Sequence, residues 1–274
     1  WAVLEADESD GSFLKLPVNY SIVTNIDIEH LDYYKNYNNL EKAFIEFINK
    51  TPPIGKSLIC LDNLNIKKIL KKLKTKNYLT YGFDKNSDYQ IINTRYGLKN
   101  SIFDLKTKNN NRSITLLKNI NLNLIGRYNV QNASAAISIC LNLGISLKII
   151  KNALQNFSGV QRRMTKIFTK GNIKFYDDYA HHPTEIRAVL SGIKKVSGSK
   201  KIISVFQPHR YSRLKNLKKE FSKSFKNSDT VILCPVYAAG EKKDKNFNQY
   251  DFSKLIYKNS GSQVIYINTQ EELI

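Results

Sequence analysis

The chain has 274 residues, of which 42% are hydrophobic and 11% aromatic, so it can bury the cores of two ordinary domains and is not expected to be disordered. It contains no apolar run of about 18 residues and no signal-peptide pattern, which predicts a cytoplasmic protein without membrane insertion. The net charge of +20 suggests nucleic-acid binding, but most lysines are scattered among asparagines and isoleucines, so we expect a solvated basic surface and no nucleic-acid partner.

Strand and helix patterns alternate over the first part of the chain. Strands are predicted near Ile22 and at 58–61, and helices at 38–49 and 64–73. The following apolar runs, at 89–93, 101–105 and 113–117, are short and interrupted by Asn, Gly and Lys. They indicate an antiparallel excursion from a mostly parallel sheet. Two helices are then predicted at 128–141 and 146–156.

A second alternating series begins beyond Gly159. Strands are predicted at 173–178, 202–206, 230–234 and 264–268, and helices at 183–195, 212–226 and 250–258. Strands that alternate with helices are typical of a parallel, Rossmann-like sheet. The sequence therefore predicts an α/β protein with two domains, residues 1–159 and residues 160–274.

An acidic segment near the start offers oxygen ligands. Glu5, Asp7, Glu8 and Asp10 lie within six residues, and carboxylate oxygens are the ligands that magnesium prefers. A solvated acidic loop is the alternative. His30, which follows the next predicted strand, favours a metal site.

Two asparagines mark the start of the helix predicted at 128–141. Asn129 and Asn132 are three positions apart, so both amides can face one ligand, although Asn is also common in helix caps. Arg163, in the loop after Gly159, carries a guanidinium group well suited to a phosphate.

All four histidines lie in polar clusters that directly follow apolar, β-branched runs. They are His30, His181, His182 and His209. Such clusters are expected at the carboxyl ends of strands, where open α/β sheets bind ligands. His182 precedes a helix that Pro183 can begin, so helix capping is its alternative role.

The clusters at 177–185 and 207–213 form the strongest candidate site. Asp178 can accept hydrogen bonds from ribose hydroxyls, and the arginines Arg210 and Arg213 can clamp a carboxylate beside His209. No Ser-His or Cys-His arrangement suggests a covalent nucleophile. Glu241, by contrast, is a loop acid for which no ligand is proposed.

With these residues laid out, the sequence resembles the Mur ligase family over nearly its whole length. The matching segments are Glu5-Ala6-Asp7-Glu8-Ser9-Asp10, Thr24-Asn25-Ile26 with His30, residues 126–133, residues 177–185 and Gln207-Pro208-His209-Arg210-Tyr211-Ser212-Arg213. The resemblance implies a central ATP-binding domain, whose mostly parallel sheet has an antiparallel excursion, followed by a Rossmann-like C-terminal domain.

The resemblance also implies an activity. The Gln-Pro-His-Arg-Tyr form is similar to family members that ligate L-alanine to UDP-N-acetylmuramate in peptidoglycan synthesis, using ATP and Mg²⁺ and passing through an acyl phosphate. A murein peptide ligase, or a nucleotide-binding or assembly module without turnover, is the alternative.

The resemblance implies a role for each matching residue. Glu5 and His30 would hold magnesium, and Asn129, Asn132, Arg163 and Asp178 would bind ATP. Tyr179, His181, Arg210 and Arg213 would bind the amino acid, while His181, His209 and Arg210 would act in catalysis.

Other parts of the family pattern are not found. The domain that binds the UDP sugar, the Gly-rich loop with its phosphate-binding lysine, and the last strand and helix of the third domain have no counterpart. The chain also begins at Trp1. We therefore expect a fragment that is inactive alone, and an upstream loop ending in Gly-Lys-Thr or Gly-Lys-Ser would favour an enzyme over a binding module.

Overall fold

The structure, a computed structural model, describes residues 2–108, 114–269 and 271–273. Trp1 lies outside these residues, and so does Ser113, with which one predicted strand begins. The chain divides into two compact units, residues 1–95, 100–123 and 128–157 forming the first and residues 96–99, 124–127 and 158–274 the second. The domain boundary after residue 159 stays a prediction.

The first unit is built around a six-stranded sheet. Its strands, in spatial order, are β1 (Tyr20–Val23), β2 (Lys56–Cys60), β3 (Tyr78–Gly82), β4 (Tyr89–Tyr96), β5 (Ser101–Lys108) and β6 (Ile114–Leu122). Its helices are α1 (Leu31–Tyr34), α2 (Tyr37–Asn49), α3 (Leu64–Ile69), α4 (Arg127–Asn142) and α5 (Leu147–Asn156).

The pairing directions follow most of the sequence patterns, although β4, which contains the run at 89–93, pairs in parallel with β3. β1, β2, β3 and β4 pair in parallel, whereas β5 and β6 pair antiparallel. Burial alternates along β5, with Ser101, Phe103, Leu105 and Thr107 buried, as expected for a strand with one covered face. The α/β class and the antiparallel excursion are therefore confirmed.

The core of the first unit lies between the parallel strands and their helices. Leu58 and Ile59 of β2 are fully buried, and α2 packs Leu40, Phe47 and Ile48 into the same cluster. Burying one such side chain stabilises the fold by about 1.5–3 kcal/mol. Asn36 caps α2 and accepts a hydrogen bond from the Asn39 backbone, so both helix start and core follow from the local sequence.

The second unit contains two smaller sheets. Its elements are β7 (Thr165–Lys170), β8 (Ile173–Asp177), α6 (Pro183–Ser197), β9 (Ile203–Phe206), α7 (Tyr211–Ser222), β10 (Thr230–Leu233), α8 (Gln249–Ser260) and β11 (Gln263–Tyr266). The strands β11, β10 and β9 form a parallel sheet in that order. Its core includes Phe206, Phe221, Phe225 and Phe252.

One strand of the predicted parallel series pairs differently. β8 pairs antiparallel with β7 in a separate two-stranded sheet. The two strands are joined by a tight turn at Gly171, whose φ of 55° is readily available to glycine. This short connection favours pairing with the adjacent strand, which the alternation of strands and helices did not reveal.

Candidate active site

A row of rings lies beyond the carboxyl ends of β8, β9 and β10. The Tyr179 and His181 rings are 4.8 Å apart, His181 and His209 5.9 Å, and His209 and Tyr237 5.4 Å. The Arg162 guanidinium carbon lies over the Tyr179 ring, 4.4 Å from its centroid. The structure thus brings together Tyr179, His181 and His209, as predicted from strand ends, and adds Tyr237.

The two histidines have opposite tautomers when neutral. His181 Nδ1 lies 2.9 Å from the Tyr179 carbonyl oxygen, which can only accept, so Nδ1 carries the proton and Nε2 the lone pair. His209 Nδ1 accepts from Arg213 Nη1 at 3.1 Å, which leaves the proton on Nε2. Burial lowers the pKa of His209, as do the nearby charges of Arg213, His181 and Arg210, so its neutral form is favoured. The neutral His181 ring can therefore accept a proton at Nε2, and the neutral His209 ring can donate a hydrogen bond from Nε2.

Arg210 is held in an unusual position. It immediately precedes α7 with a φ of 66°, and its backbone N–H donates to the Tyr237 carbonyl oxygen at 2.9 Å. Its Nε is buried and has no hydrogen-bond partner among the described residues. A buried donor without a partner is costly, and a guanidinium is a natural anion ligand, so this geometry is suited to a carboxylate.

His182 has the structural role that the sequence left open. Its Nδ1 accepts from the Thr184 backbone N–H at 3.3 Å, and the Glu185 carboxylate accepts from the His182 backbone N–H at 3.2 Å, which completes a capping box at α6. Arg163 contacts Glu185 at 3.5 Å. Although burial raises the pKa of Glu185, backbone hydrogen bonds and the His181 and Arg163 charges lower it overall.

The Asp178 carboxylate connects two loops through hydrogen bonds. One carboxylate oxygen accepts from the Met164 backbone and the other from the Ala180 backbone, each at 2.8 Å. Burial raises its pKa against these hydrogen bonds. Each oxygen retains further acceptor capacity, so the contacts leave room for a ribose hydroxyl.

Glu241, the loop acid to which the sequence assigned no ligand, makes specific contacts. Its carboxylate accepts two hydrogen bonds from Ser212, from the backbone N–H at 3.0 Å and from the hydroxyl at 2.5 Å. The sequence missed Glu241 and Tyr237 because neither belongs to a conspicuous cluster. Both nevertheless follow β10, so the strand-end rule could have found them.

In the first unit, His30 contacts Glu8, whereas Glu5 is the carboxylate predicted to hold a metal ion with it. His30 precedes α1 with a φ of 55°, and its Nε2 lies 3.4 Å from Glu8 Oε1. The hydrogen bond from His30 lowers the pKa of Glu8 despite burial. Glu5 is exposed. Among the described residues, no three His, Cys, Asp or Glu side chains are grouped closely enough to hold a metal ion by themselves.

The predicted adenine ligands lie in the first turns of α4, where Asn129 is half-buried and Asn132 exposed. Between them, Gln131 donates to Asp62 at 2.5 Å, and Asp62 also accepts from the Phe83 and Asp84 backbones. Asp62 and these backbone groups follow β2 and β3. The beginning of α4 is therefore fixed to the carboxyl edge of the first sheet.

Comparisons with known proteins match both parts of the chain. Residues 1–140 match the Mur ligase middle domain, and residues 162–274 match the glutamate ligase domain of Mur ligases. The chain is 50% identical, over all its length, to a UDP-N-acetylmuramate–L-alanine ligase of Pelagibacter ubique, and covers 59% of that protein. A ligase of the same name from Brucella anthropi is 42% identical over 88% of the chain, which covers 51% of that relative.

Solved structures give the same result for the fold. The UDP-N-acetylmuramate-alanine ligase of Thermotoga maritima matches 98% of the chain with a TM-score of 0.74 and 27% identity, and the chain covers 55% of that structure. A murein peptide ligase from Psychrobacter arcticus, at 20% identity and a TM-score of 0.61, shares the fold over 95% of the chain and 52% of its own length. The chain thus spans little more than half the length of these relatives. None of the helices in the described parts of the chain is long and apolar enough to cross a membrane.

Proposed function

This chain belongs to the Mur ligase family, and we propose that it forms the nucleotide-binding and amino-acid-binding parts of an ATP-dependent ligase that joins L-alanine to UDP-N-acetylmuramate. The observation that carries the proposal is the 50% identity, over the whole chain, to a relative bearing that name. The cluster of Tyr179, His181, His209 and Arg210 supports it, because it offers an anion ligand beside a proton acceptor.

The proposed reaction has two chemical steps. A carboxylate oxygen of the muramate attacks the γ-phosphorus of ATP, and ADP leaves. The alanine amine then attacks the acyl carbon, a tetrahedral intermediate forms, the amine loses a proton, and phosphate leaves. No covalent enzyme intermediate is required. The use of ATP also supports a cytoplasmic location.

The second unit would bind and orient the amino acid. Arg210 and Arg213 would grip the alanine carboxylate, since guanidinium groups can bind carboxylates in a bidentate manner. His181 Nε2, which carries the lone pair, would accept the amine proton, and the Nε2–H of His209 would donate a hydrogen bond to a developing negative oxygen. Holding the amine at the reacting carbon supplies proximity.

ATP binding is assigned to four residues. Asn129 and Asn132 would bind adenine, Asp178 the ribose and Arg163 a phosphate. The bond between Gln131 and Asp62 supports the first assignment, because it fixes the turn that carries both asparagines.

Asn132→Ala in the complete protein is expected to raise the KM for ATP by about tenfold through the loss of one or two hydrogen bonds. The KM for L-alanine should stay within twofold. Steady-state kinetics with each substrate varied in turn measures both. Asn152→Ala, an exposed asparagine on α5, is the matched control. Equal effects of Asn132→Ala on the two substrates would contradict the adenine assignment.

We also propose a bound Mg²⁺, for which the residues present are chemically suitable. Glu5 and His30 would hold it together with phosphate oxygens, since magnesium is commonly bound by one or two carboxylates plus substrate phosphates. Glu8, 3.4 Å from His30, would orient the imidazole. When bound, the ion neutralises phosphate charge.

Glu5→Ala is expected to raise the Mg²⁺ concentration for half-maximal activity by about 10- to 100-fold, because a carboxylate ligand is lost. Titration of Mg²⁺ at saturating ATP measures the effect. Glu46→Ala, on the exposed face of α2, is the appropriate control. Glu241 is unsuitable as a control because it binds Ser212. An unchanged Mg²⁺ requirement in Glu5→Ala would refute the assignment.

The function itself is tested with the complete open reading frame that encodes this chain. ADP release should require both UDP-N-acetylmuramate and L-alanine. Release that depends on a peptide in place of alanine would identify a murein peptide ligase. ATP binding without any turnover would identify a nucleotide-binding module.

A further inference from the structure

The segment after β10 folds back onto the residues that follow β9. Beyond the strand ends, His209 and Tyr237 form an isolated parallel bridge. The Tyr237 N–H donates to the Pro208 carbonyl at 2.8 Å, and the Arg210 N–H donates to the Tyr237 carbonyl at 2.9 Å. These two bonds fix the backbone immediately before α7.

A tight turn then brings Glu241 to the first turn of α7. The Glu241 N–H donates to the Ala238 carbonyl at 3.0 Å, and the two residues between them, Ala239 and Gly240, have positive φ angles of 48° and 86°. A positive φ is uncommon for alanine, because it brings Cβ close to a backbone carbonyl oxygen. The surrounding contacts must therefore maintain this turn.

Glu241 supplies the cap that α7 lacks. Arg210, the residue at the N-cap position, makes no side-chain cap hydrogen bond. The Glu241 carboxylate instead binds the Ser212 N–H and hydroxyl. Although burial raises the pKa of Glu241, the Ser212 and Tyr211 hydrogen bonds and the Arg210 charge lower it overall, so the ionised form is favoured.

We infer that Glu241 is a positioning residue for the amino-acid substrate, holding the first turn of α7 so that Arg210 and Arg213 face the same ligand. The inference rests on the proposed function. Glu241 acts through Ser212, which lies between the two arginines in sequence. Arg213 in turn donates a hydrogen bond to His209. The contact between Glu241 and Ser212 therefore also fixes the His209 ring, the proposed hydrogen-bond donor.

Glu241→Ala and Glu241→Gln in the complete protein distinguish this role from general stabilisation. Alanine removes both hydrogen bonds, whereas glutamine retains an oxygen for the Ser212 N–H and an amide that can donate to the hydroxyl. Glu241→Ala is expected to raise the KM for L-alanine at least about tenfold while the KM for ATP stays within twofold. Glu241→Gln should stay within about threefold of the unmodified protein.

The matched control is Glu220→Ala, an exposed acid at the other end of the same helix. An unchanged KM for L-alanine in Glu241→Ala would overturn the inference, as would equal shifts for ATP and alanine. Equal effects of the alanine and glutamine variants would show that charge, and not hydrogen bonding, matters, and would also overturn it.

Hydrogen exchange separates failure of this inference from failure of the proposed function. Amides in the first turn of α7 should exchange faster in Glu241→Ala than in Glu220→Ala, whether or not the protein turns over alanine. If the unmodified protein shows no alanine-dependent ADP release, the proposed function fails. If the unmodified protein releases ADP normally but amide exchange at residues 211–214 is the same in Glu241→Ala as in Glu220→Ala, the positioning role of Glu241 is refuted.

Discussion

Arg210→Lys in the complete protein is expected to raise the KM for L-alanine by about 10- to 100-fold, because an ammonium group cannot reproduce the planar, bidentate fork of a guanidinium. The position is also constrained, since Arg210 precedes α7 with a positive φ and its Nε is buried. Lysine places no donor where this nitrogen lies. Binding of ATP should stay within twofold of that of the unmodified protein.

Steady-state kinetics and direct measurement of ATP binding together test this expectation. Arg187→Lys is the matched control, since Arg187 is exposed on α6 and bonds Thr184 and Ser224. It should leave both KM values unchanged. Normal alanine kinetics in Arg210→Lys would show that another group binds the carboxylate, and a loss of ATP binding would place Arg210 in the nucleotide site.

His181→Ala is expected to lower kcat for ligation by about 10²- to 10⁴-fold, the usual contribution of a positioned general base. The reason is the tautomer, because Nδ1–H donates to the Tyr179 carbonyl oxygen and Nε2 is left with the lone pair. The variant should still form the acyl phosphate. Its defect should lie in the step with alanine, whose amine must lose a proton to form the amide bond.

Hydroxylamine provides the discriminating measurement, because it is a nucleophile that does not need this base. In His181→Ala, ADP release with UDP-N-acetylmuramate and hydroxylamine should match that of the unmodified protein, while release with alanine falls. If both nucleophiles lose activity equally, His181 acts before amine attack. If alanine turnover is normal, the base is a different group.

Local sequence patterns predicted the elements that build the sites. The helix expected at 128–141 is α4, Arg127–Asn142, and Asn129 and Asn132 lie in its first turns. The helix expected from Pro183 is α6, with the proline in its first turn. These predictions succeeded because helix starts and apolar periodicity depend on residues within a few positions of one another.

Contacts between distant segments were not predicted. His30 lies against Glu8, although Glu5 was the expected metal ligand, and local spacing cannot show which of several acids turns toward a given ring. Likewise, β8 pairs with β7 instead of joining the parallel sheet. The alternation of strands and helices indicates which segments are strands but not which neighbour each one binds.

The sequence by itself determined the α/β class, most of the strands and helices, and the placement of His181, His209 and Arg210 after strands, because each depends on local periodicity and on residue types. It did not predict β3 and β7. Only the tertiary structure decided the tautomers of the two neutral histidines and the contact between Glu241 and Ser212. Both depend on hydrogen bonds whose geometry no periodicity specifies. Glu241 and Ser212, for example, are 29 residues apart and meet only because β9 and β10 are adjacent in the sheet.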